Sequence, residues 1–211
     1  MLIYLIRHGE TDWNAEKRIM GRSPLPLNER GREQVRLLAS ALKGEGITTI
    51  YASAVARAKE TASILAWEWM AAVDEEERLN ESAFEKWVGK THDELRDDPD
   101  FKLYHAKPSR SRFSADEGMA DIQRRALAAV DRAMTEAKAE KVALVSHRDV
   151  IKPIIVHYLG LDLDAMHGLS LSTASVTLLD LRAGRPRFRY VNFAPWRWRD
   201  RILLTEGKKS E

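Results

Sequence analysis

The sequence contains no cysteine among its 211 residues. This absence excludes disulfide bonds, catalysis by a thiolate, and zinc or iron–sulfur sites built from cysteine. No apolar run approaches the roughly 18 residues that a membrane-spanning helix needs. No signal peptide is visible either, because the first charged residue follows the first apolar run instead of preceding it. We therefore expect a soluble, cytoplasmic protein with no membrane partner.

A large excess of charge of either sign is also missing. The formal net charge is +2, from 34 basic and 32 acidic residues, whereas a nucleic-acid-binding domain concentrates positive charge on one face. We therefore expect no nucleic-acid partner. The composition, with 44% hydrophobic and 31% charged residues, is ordinary for a globular protein. The length suits one domain that spans residues 1–211.

The first ten residues join an apolar segment to charged side chains. Residues 2–6 include β-branched and aromatic side chains and favour a short buried strand. Arg7, His8 and Gly9 follow directly, and the glycine permits a turn or a close backbone approach. Open α/β sheets bind ligands at the carboxyl ends of their strands. A lone histidine at such a place is nevertheless more often a core or turn residue.

Strand-like and helical patterns alternate along the rest of the chain. Helices are predicted after two capping residues, Asn28 and Ser53, and the clearest helical ranges are 29–43, 116–139 and 149–158. Further strands are predicted at 47–52, 141–147, 175–181 and 188–193. This alternation predicts an α/β sandwich with helices on both faces of a sheet.

Two segments have weaker patterns. Residues 74–113 show little periodicity apart from a short helix expected to start at 92–95, and 84–113 is predicted to be an irregular lid that selects the substrate. The C-terminal part carries a basic aromatic tail formed by Trp196, Arg197, Trp198, Arg199 and Arg201. We expect its rings to pack on the domain and its arginines to face solvent. Binding of an acidic ligand, RNA or a partner chain is the alternative, and exposed tryptophans would favour a homodimer.

Several chemically active side chains are predicted at or near strand ends. They are Arg7 with His8, Arg57 in the first turn of a helix, Glu81 in a loop, and His147 after a strand. Arginine binds phosphate oxygens through paired hydrogen bonds and stays charged. Histidine near neutral pH can act as a nucleophile or as a hydrogen-bond donor. This set suits an anion such as phosphate, and none of its members needs a metal ion.

Four short motifs occur in a particular order along the chain. They are RHGET at 7–11 with Asn14 beyond it, SAVARAKETA at 53–62, RLNE at 78–81 leading to WVG at 87–89, and VSH at 145–147. Their sequence and order resemble those of the histidine phosphatase superfamily, and the resemblance covers residues 2 to about 180. It implies the phosphoglycerate mutase-like fold, a three-layer α/β/α sandwich with a mostly parallel central sheet.

The resemblance also implies a role for each motif residue. His8 would be the nucleophile that forms a phosphohistidine, and Glu81 would be the acid that protonates the leaving oxygen. Gly21 corresponds to a segment that contacts substrate in the mutase branch. No cofactor is implied. The transferred phosphoryl group would be held by Arg7, Asn14, Arg57 and His147.

The chain departs from the family pattern at two places. Arg148 and Asp149 follow the second histidine, where a small glycine is common. Arg148 either adds positive charge for the substrate at the mouth of the pocket or points to solvent. Around Glu81 the usual glycine and glutamate are replaced, which makes the nearby Glu85 a second candidate for the acid. Glu81 is the preferred one.

These observations predict a metal-independent phosphatase that hydrolyses a small phosphorylated metabolite. A phosphoglycerate mutase is one alternative, but mutases commonly carry a longer insertion than the 65 residues, 82–146, that separate the acid from the second histidine here. A non-catalytic phospho-ligand or protein-binding module is another, although binding alone would not need the acid. No metal site is predicted, because metal-ligand spacing is missing around His92, His105, His157 and His167.

Overall fold

The computed structural model describes residues 1–115 and 117–197. Its strands are β1 (Leu2–Arg7), β2 (Thr49–Ala52), β3 (Ala72–Glu75), β4 (Lys141–Ser146), β5 (Val176–Asp180) and β6 (Arg187–Phe193). They form one six-stranded sheet in the order β3-β2-β4-β1-β5-β6. The four strands β3, β2, β4 and β1 are parallel to one another. Strand β5 pairs antiparallel with both of its neighbours, β1 and β6. The prediction of a mostly parallel sheet is confirmed.

Helices cover both faces of this sheet. They are α1 (Asp12–Ala15), α2 (Glu29–Ala41), α3 (Ala56–Trp69), α4 (Pro99–Ala106), α5 (Met119–Glu136) and α6 (Arg148–Tyr158). Short 3₁₀ turns lie at Glu77–Leu79, Pro108–Arg110 and Leu163–Gly168. Successive side chains of a strand point to opposite faces. On β1, Ile3 and Leu5 accordingly join the core under α5 and α6, whereas Tyr4 and Ile6 join the core under α2 and α3.

The helix after Asn28 begins as predicted, whereas the helix after Ser53 does not. Asn28 is the N-cap of α2, since its side chain accepts a hydrogen bond from the Gly31 amide at 2.8 Å. The N-cap of α3 is Val55, which makes no side-chain capping bond. The prediction that Ser53 caps this helix is therefore wrong. Its hydroxyl is engaged instead with the side chains of Asn80 and His147, at 2.9 and 2.8 Å.

The prediction of a short helix starting at 92–95 is also wrong. Turns occupy that segment, and α4 begins at Pro99, where Asp98 accepts a hydrogen bond from the Phe101 amide at 2.9 Å. A proline at the first helical position and an aspartate before it are together a strong start signal. The sequence does not predict strand β3, because its four residues are all exposed and show no alternation of apolar and polar side chains.

The segment predicted to be an irregular lid packs around an aromatic cluster. Phe84 and Phe113 have ring centroids 4.7 Å apart, and those of Trp87 and Phe101 are 5.3 Å apart. Tyr104 packs against the same rings, and all five side chains are buried. Edge-to-face contacts of this kind stabilise a fixed arrangement. The segment therefore contributes to the core, and its function as a lid stays a prediction.

The start of the C-terminal tail packs on the domain. The indole of Trp196 donates a hydrogen bond to the Thr173 carbonyl at 3.0 Å, and the Arg30 guanidinium lies 5.7 Å from its ring centroid. Trp198, Arg199 and Arg201 lie outside the described residues. Within the described residues, no helix is long and apolar enough to cross a membrane.

Close packing between Gly31 of α2 and the backbone of Glu10 fixes the loop that follows β1. A Cβ atom at position 31 would lie 2.1 Å from the Glu10 carbonyl oxygen. We predict that Gly31→Ala lowers the free energy of unfolding by about 1–3 kcal/mol, because the backbones must separate. Thermal unfolding measures this, with Gly44→Ala as control, since a Cβ there meets nothing within 4 Å. Equal melting temperatures for the two variants would contradict the prediction.

Candidate active site

The two histidines singled out in the sequence lie side by side at the carboxyl ends of adjacent parallel strands. Strands β1 and β4 pair in register, with Arg7 opposite Ser146, so that His8 and His147 follow at the same level. Their ring centroids are 5.2 Å apart, and both side chains are buried. Pairing of these two strands thus brings residues from distant parts of the sequence together at the site.

A backbone hydrogen bond orients the imidazole of His8. Its Nδ1 lies 2.7 Å from the Gly9 carbonyl oxygen, which can only accept, so Nδ1 carries the proton. The other nitrogen, Nε2, then holds a lone pair and accepts a hydrogen bond from Arg57 Nε at 3.2 Å. Burial and the charges of Arg57 and Arg7 lower the pKa of His8 well below its ordinary value. The imidazole is therefore neutral near pH 7, with Nε2 as its nucleophilic atom.

Arg57 lies in the first turn of α3 and is completely buried. Besides contacting His8, its guanidinium donates hydrogen bonds to the carbonyl oxygens of Gly21 at 2.9 Å and Ser23 at 3.3 Å. Its Nη2 lies 3.9 Å from a carboxylate oxygen of Glu81. Burial lowers the pKa of Arg57 to about 10, so the side chain remains a cation at neutral pH.

Arg7 supplies a second cation to the pocket. Its Nη1 donates a hydrogen bond to the Leu171 carbonyl at 2.6 Å, while its buried Nε has no hydrogen-bond partner among the described residues. Burial and the charge of Arg148 lower the pKa of Arg7 to about 9, which still leaves it protonated at pH 7. A buried donor without a partner is costly. An anion at this position would remove that cost.

Glu81 lies in the loop after the Glu77–Leu79 turn, with its carboxylate facing the histidine pair. One oxygen lies 3.8 Å from Nδ1 of His147, and the other accepts a hydrogen bond from the Ser82 amide at 3.1 Å. Burial and the charge of Asp149 raise the pKa of Glu81 to about 7. Such a carboxyl group is partly protonated at neutral pH and can give or take a proton. Glu85, the other candidate, is exposed and does not line the cavity.

His147 is held by Ser53, and its second nitrogen is left open. The hydroxyl of Ser53 lies 2.8 Å from Nε2, whereas the buried Nδ1 has no hydrogen-bond partner among the described residues. Burial and the charge of Arg57 lower the pKa of His147 well below its ordinary value. Its Nδ1 is therefore available to a ligand bound between the two histidines.

A cavity of about 410 Å³ opens beside His8 and Glu81. The remaining predicted site residues, Asn14, Gly21 and Arg148, also line it. Asn14 accepts hydrogen bonds from Thr11 through its Oδ1 atom, so its Nδ2 group is the donor left for a ligand. Gly21 has a φ of +52° and bonds to Arg57 through its carbonyl. Arg148 also lines the cavity, so its side chain belongs to the pocket rather than to open solvent.

Some side chains of this pocket escaped the sequence analysis. Tyr104 lines the cavity, and Lys152 lies buried one turn beyond Arg148 on α6. The sequence marks Asp149 only as a departure from the family pattern, yet its charge raises the pKa of Glu81. The sequence does indicate Lys152, because it lies four residues after Arg148 on a predicted helix, and residues four apart share a helix face. Nothing in the sequence points to Tyr104.

No metal centre accompanies these side chains in the part of the chain that is described. Within residues 1–115 and 117–197, no group of three or more histidine, aspartate or glutamate side chains is arranged to hold a metal ion. His105 and His167 do approach each other, with ring centroids 4.8 Å apart, but they pack around the Tyr104 ring. Positive charge in the pocket is supplied by arginine and lysine side chains, among them Arg7, Arg148 and Lys17.

The site combines a neutral imidazole, whose Nε2 lone pair faces Arg57, with two arginines and a carboxyl group that can be protonated. Phosphoryl transfer requires mainly positioning and positive charge around the phosphoryl oxygens. These side chains, at the edge of an α/β sheet, have the chemistry that such a reaction requires.

Comparison with known proteins identifies the family. A model of the histidine phosphatase superfamily (branch 1) matches residues 3–194. The chain is 32% identical over 181 residues to the probable phosphoglycerate mutase GpmB of Photorhabdus laumondii, a match that covers 84% of each protein. The protein therefore belongs to the histidine phosphatase superfamily.

Solved structures of similar proteins share the fold. Bacillus stearothermophilus YhfR is 32% identical, with a TM-score of 0.82 over 90% of this chain and 96% of that one. A phosphoserine phosphatase variant from Entamoeba histolytica, solved in complex with phosphoserine, is 28% identical. Its TM-score is 0.82, over 92% of this chain and 97% of the other. The predicted phosphoglycerate mutase-like fold is thereby confirmed.

Proposed function

We propose that this protein is a metal-independent phosphatase that hydrolyses a small phosphorylated metabolite through a phosphohistidine at His8. The observation that carries the proposal is the hydrogen bonding of His8, since the Nδ1 bond to Gly9 leaves a lone pair on Nε2. Arg57 Nε, 3.2 Å from that atom, is within reach of an oxygen of a phosphoryl group attached there. The superfamily of the chain and the phosphatases among its structural neighbours support the same reading.

In the first step, the lone pair of His8 Nε2 forms a bond to phosphorus as the bond from phosphorus to the ester oxygen breaks. Glu81, protonated because burial raises the pKa of its carboxyl to about 7, transfers its proton to the leaving oxygen. The negative charge on the other three oxygens is balanced by Arg7 and Arg57. The neutral side chains of Asn14 and His147 complete the set that holds the phosphoryl group.

In the second step, Glu81 is a carboxylate and acts as a base. It takes a proton from water, the resulting hydroxide attacks phosphorus, and the bond from phosphorus to Nε2 of His8 breaks. Inorganic phosphate leaves, and both side chains return to their starting protonation states. Splitting the displacement in two lets one carboxyl group serve first as acid and then as base.

A phosphoglycerate mutase is the second candidate, because the probable phosphoglycerate mutase GpmB is 32% identical to the chain. A mutase returns the phosphoryl group to an organic hydroxyl, whereas a phosphatase gives it to water. Hydrolysis is favoured by the short distance in sequence, residues 82–146, between the acid and the second histidine.

The experiment that tests the proposal is hydrolysis of p-nitrophenyl phosphate with excess EDTA, measured beside a phosphoglycerate mutase assay. Release of phosphate that survives EDTA supports a metal-independent phosphatase. Loss of the activity in EDTA would contradict it, and mutase turnover without phosphate release would favour the second candidate.

The pH dependence of hydrolysis should follow the ionisation of Glu81. The first step needs the protonated carboxyl, whose pKa is raised to about 7, so the protonated fraction decreases above that pH. We predict that kcat/KM for an alkyl phosphate decreases about tenfold per pH unit on the alkaline side of pH 7. The profile of Glu81→Gln, which cannot titrate there, should be flat over the same range. An unchanged alkaline limb in the variant would contradict the assignment.

A further inference from the structure

The cations that suit this pocket to a phosphoryl group act against its acid. Arg57 Nη2 lies 3.9 Å from a carboxylate oxygen of Glu81, and Arg7 and Arg148 line the same cavity as Glu81. Positive charge near a carboxyl group favours the carboxylate, which has no proton to give. With these cations alone, the pocket would bind a phosphoryl group well but would hold Glu81 in the wrong form for the first step.

The first turn of α6 brings a negative charge into the same pocket. Asp149 lines the cavity together with Glu81, and only 5% of its side chain is exposed. It lies two residues after His147, whose Nδ1 is 3.8 Å from a carboxylate oxygen of Glu81. Two carboxyl groups thus share one pocket, and like charges in a buried site resist ionising together.

Asp149 is held in its charged form by its neighbours. Its carboxylate accepts hydrogen bonds from Arg148, with Nε 3.2 Å from Oδ1 and Nη2 3.1 Å from Oδ2. The hydroxyl of Tyr104 donates a further hydrogen bond to it. Burial by itself raises the pKa of Asp149, but the charges of Arg148 and Lys152 outweigh this and hold that pKa well below its ordinary value. Asp149 therefore remains an anion throughout the neutral pH range.

Glu81 has less support for a negative charge. Its carboxylate accepts a hydrogen bond from the Ser82 amide at 3.1 Å, and within the described residues no side chain donates another. Arg57, at 3.9 Å, is too distant for a hydrogen bond. Of the two carboxyl groups, Asp149 is therefore the one that ionises first, and Glu81 is the one that keeps a proton.

We propose that Asp149 is a positioning residue, whose fixed negative charge keeps the Glu81 carboxyl in its proton-donating form despite the arginines around it. The ion pair with Arg148 and the hydrogen bond from Tyr104 hold Asp149 for this role. A glycine, which is common at the position after the second histidine, would leave the acid without this support. The inference rests on the proposed function, in which Glu81 is the acid.

The charges that face Glu81 can be separated by their sign. Burial raises the pKa of Glu81 most, and the charge of Asp149 raises it further. Arg57, the Ser82 amide and Arg148 lower it. The other titratable groups that face Glu81 are Arg7, Tyr104 and His147. Removal of the Asp149 charge should therefore lower the pKa of Glu81, and removal of the Arg148 charge should raise it.

The test is the pH dependence of kcat/KM for glycerol 3-phosphate in Asp149→Asn, which loses the charge but keeps the shape of the side chain. Because kcat/KM follows the protonated fraction of Glu81, the midpoint of its alkaline limb should move from near pH 7 to lower pH, by about one unit. At pH 8, kcat/KM should then be about tenfold lower, and at pH 5 about threefold lower at most. An alkaline limb that stays in place, with kcat/KM lowered equally at every pH, would overturn the inference.

Replacement of Arg148 should have the opposite effect. In Arg148→Gln the charge of Asp149 acts unopposed, so the midpoint should move to higher pH by about half a unit. The double variant Arg148→Gln/Asp149→Asn removes both charges, and its midpoint should lie within about half a unit of the original. Movement of both single variants in the same direction would overturn the inference.

Melting temperatures verify that each of these variants is folded. The matched control is Asp131→Asn, since Asp131 is exposed on α5 and does not line the cavity. Solvent and salt screen an exposed charge, so the alkaline limb of this control should stay in place. A control that moves as far as Asp149→Asn would overturn the assignment to Asp149.

A direct titration makes the test independent of turnover. With carbon-13-labelled glutamate, NMR follows the Glu81 carboxyl, and Glu81→Gln identifies its resonance. Its pKa should be about 7 in the original protein and lower in Asp149→Asn. Equal pKa values in a protein that hydrolyses phosphate esters would retain the phosphatase and reject the role of Asp149. A lower pKa in Asp149→Asn, in a protein that hydrolyses none, would retain that role and reject the phosphatase.

Discussion

Replacement of His8 by alanine should reduce the kcat for p-nitrophenyl phosphate hydrolysis by at least about 10⁴-fold, because the covalent intermediate can no longer form. Binding of inorganic phosphate should change far less, since the arginines that neutralise it remain. A large loss of kcat with little change in phosphate binding is expected because the Nε2 lone pair of His8 points to Arg57 rather than to a backbone group. Steady-state kinetics and calorimetry with phosphate measure the two quantities.

A matched control for this variant is His157→Ala. His157 is exposed near the end of α6 and does not line the cavity. Its removal should leave kcat within about twofold of the original protein, because surface substitutions usually have small effects. Substantial residual activity in folded His8→Ala, or a similar loss in both variants, would contradict the assignment of the nucleophile.

Replacement of Glu81 by glutamine should reduce kcat for an alkyl phosphate by about 10²–10⁴-fold, the usual contribution of a general acid. The amide keeps the size of the side chain but cannot donate a proton to the leaving oxygen. An alkoxide needs that proton more than a nitrophenolate does, so the loss for p-nitrophenyl phosphate should be smaller. Inhibition by inorganic phosphate, which needs no acid, should change by no more than about threefold.

Glu85→Gln is the control for this second prediction. Glu85 is four residues further along the chain and exposed, so kcat should remain near that of the unsubstituted protein. A loss of phosphate binding as large as the loss of kcat in Glu81→Gln would contradict the acid role. A larger effect of Glu85→Gln than of Glu81→Gln would move that role to Glu85.

The parts of the fold and site that the sequence predicts are those with a strong local signal. Strand β1 is a buried apolar run that ends at Arg7, and β4 ends in the same way before His147. Parallel neighbours then bring both histidines to one edge of the sheet. The motif around Arg57 locates a cation in the first turn of α3. Each of these placements follows from at most ten consecutive residues.

Features that depend on distant residues could not be predicted in this way. The raised pKa of Glu81 requires burial and the charge of Asp149, which lies far along the chain. Ser53 has the residue type of a helix cap, but a hydrogen bond with His147 engages its hydroxyl instead. The segment around Phe84 and Trp87 lacks periodicity because its aromatic rings pack on one another and not on a single helix face.

The most direct test of the central claim is detection of the phosphorylated enzyme. The protein would be mixed with a large excess of substrate, quenched in alkali within a few milliseconds, and digested for mass spectrometry, because a phosphohistidine survives alkali better than acid. We predict one added phosphoryl group on the peptide that contains His8, and none in His8→Ala. Rapid hydrolysis with no phosphorylated His8 at any quench time, or phosphorylation of another residue, would contradict it.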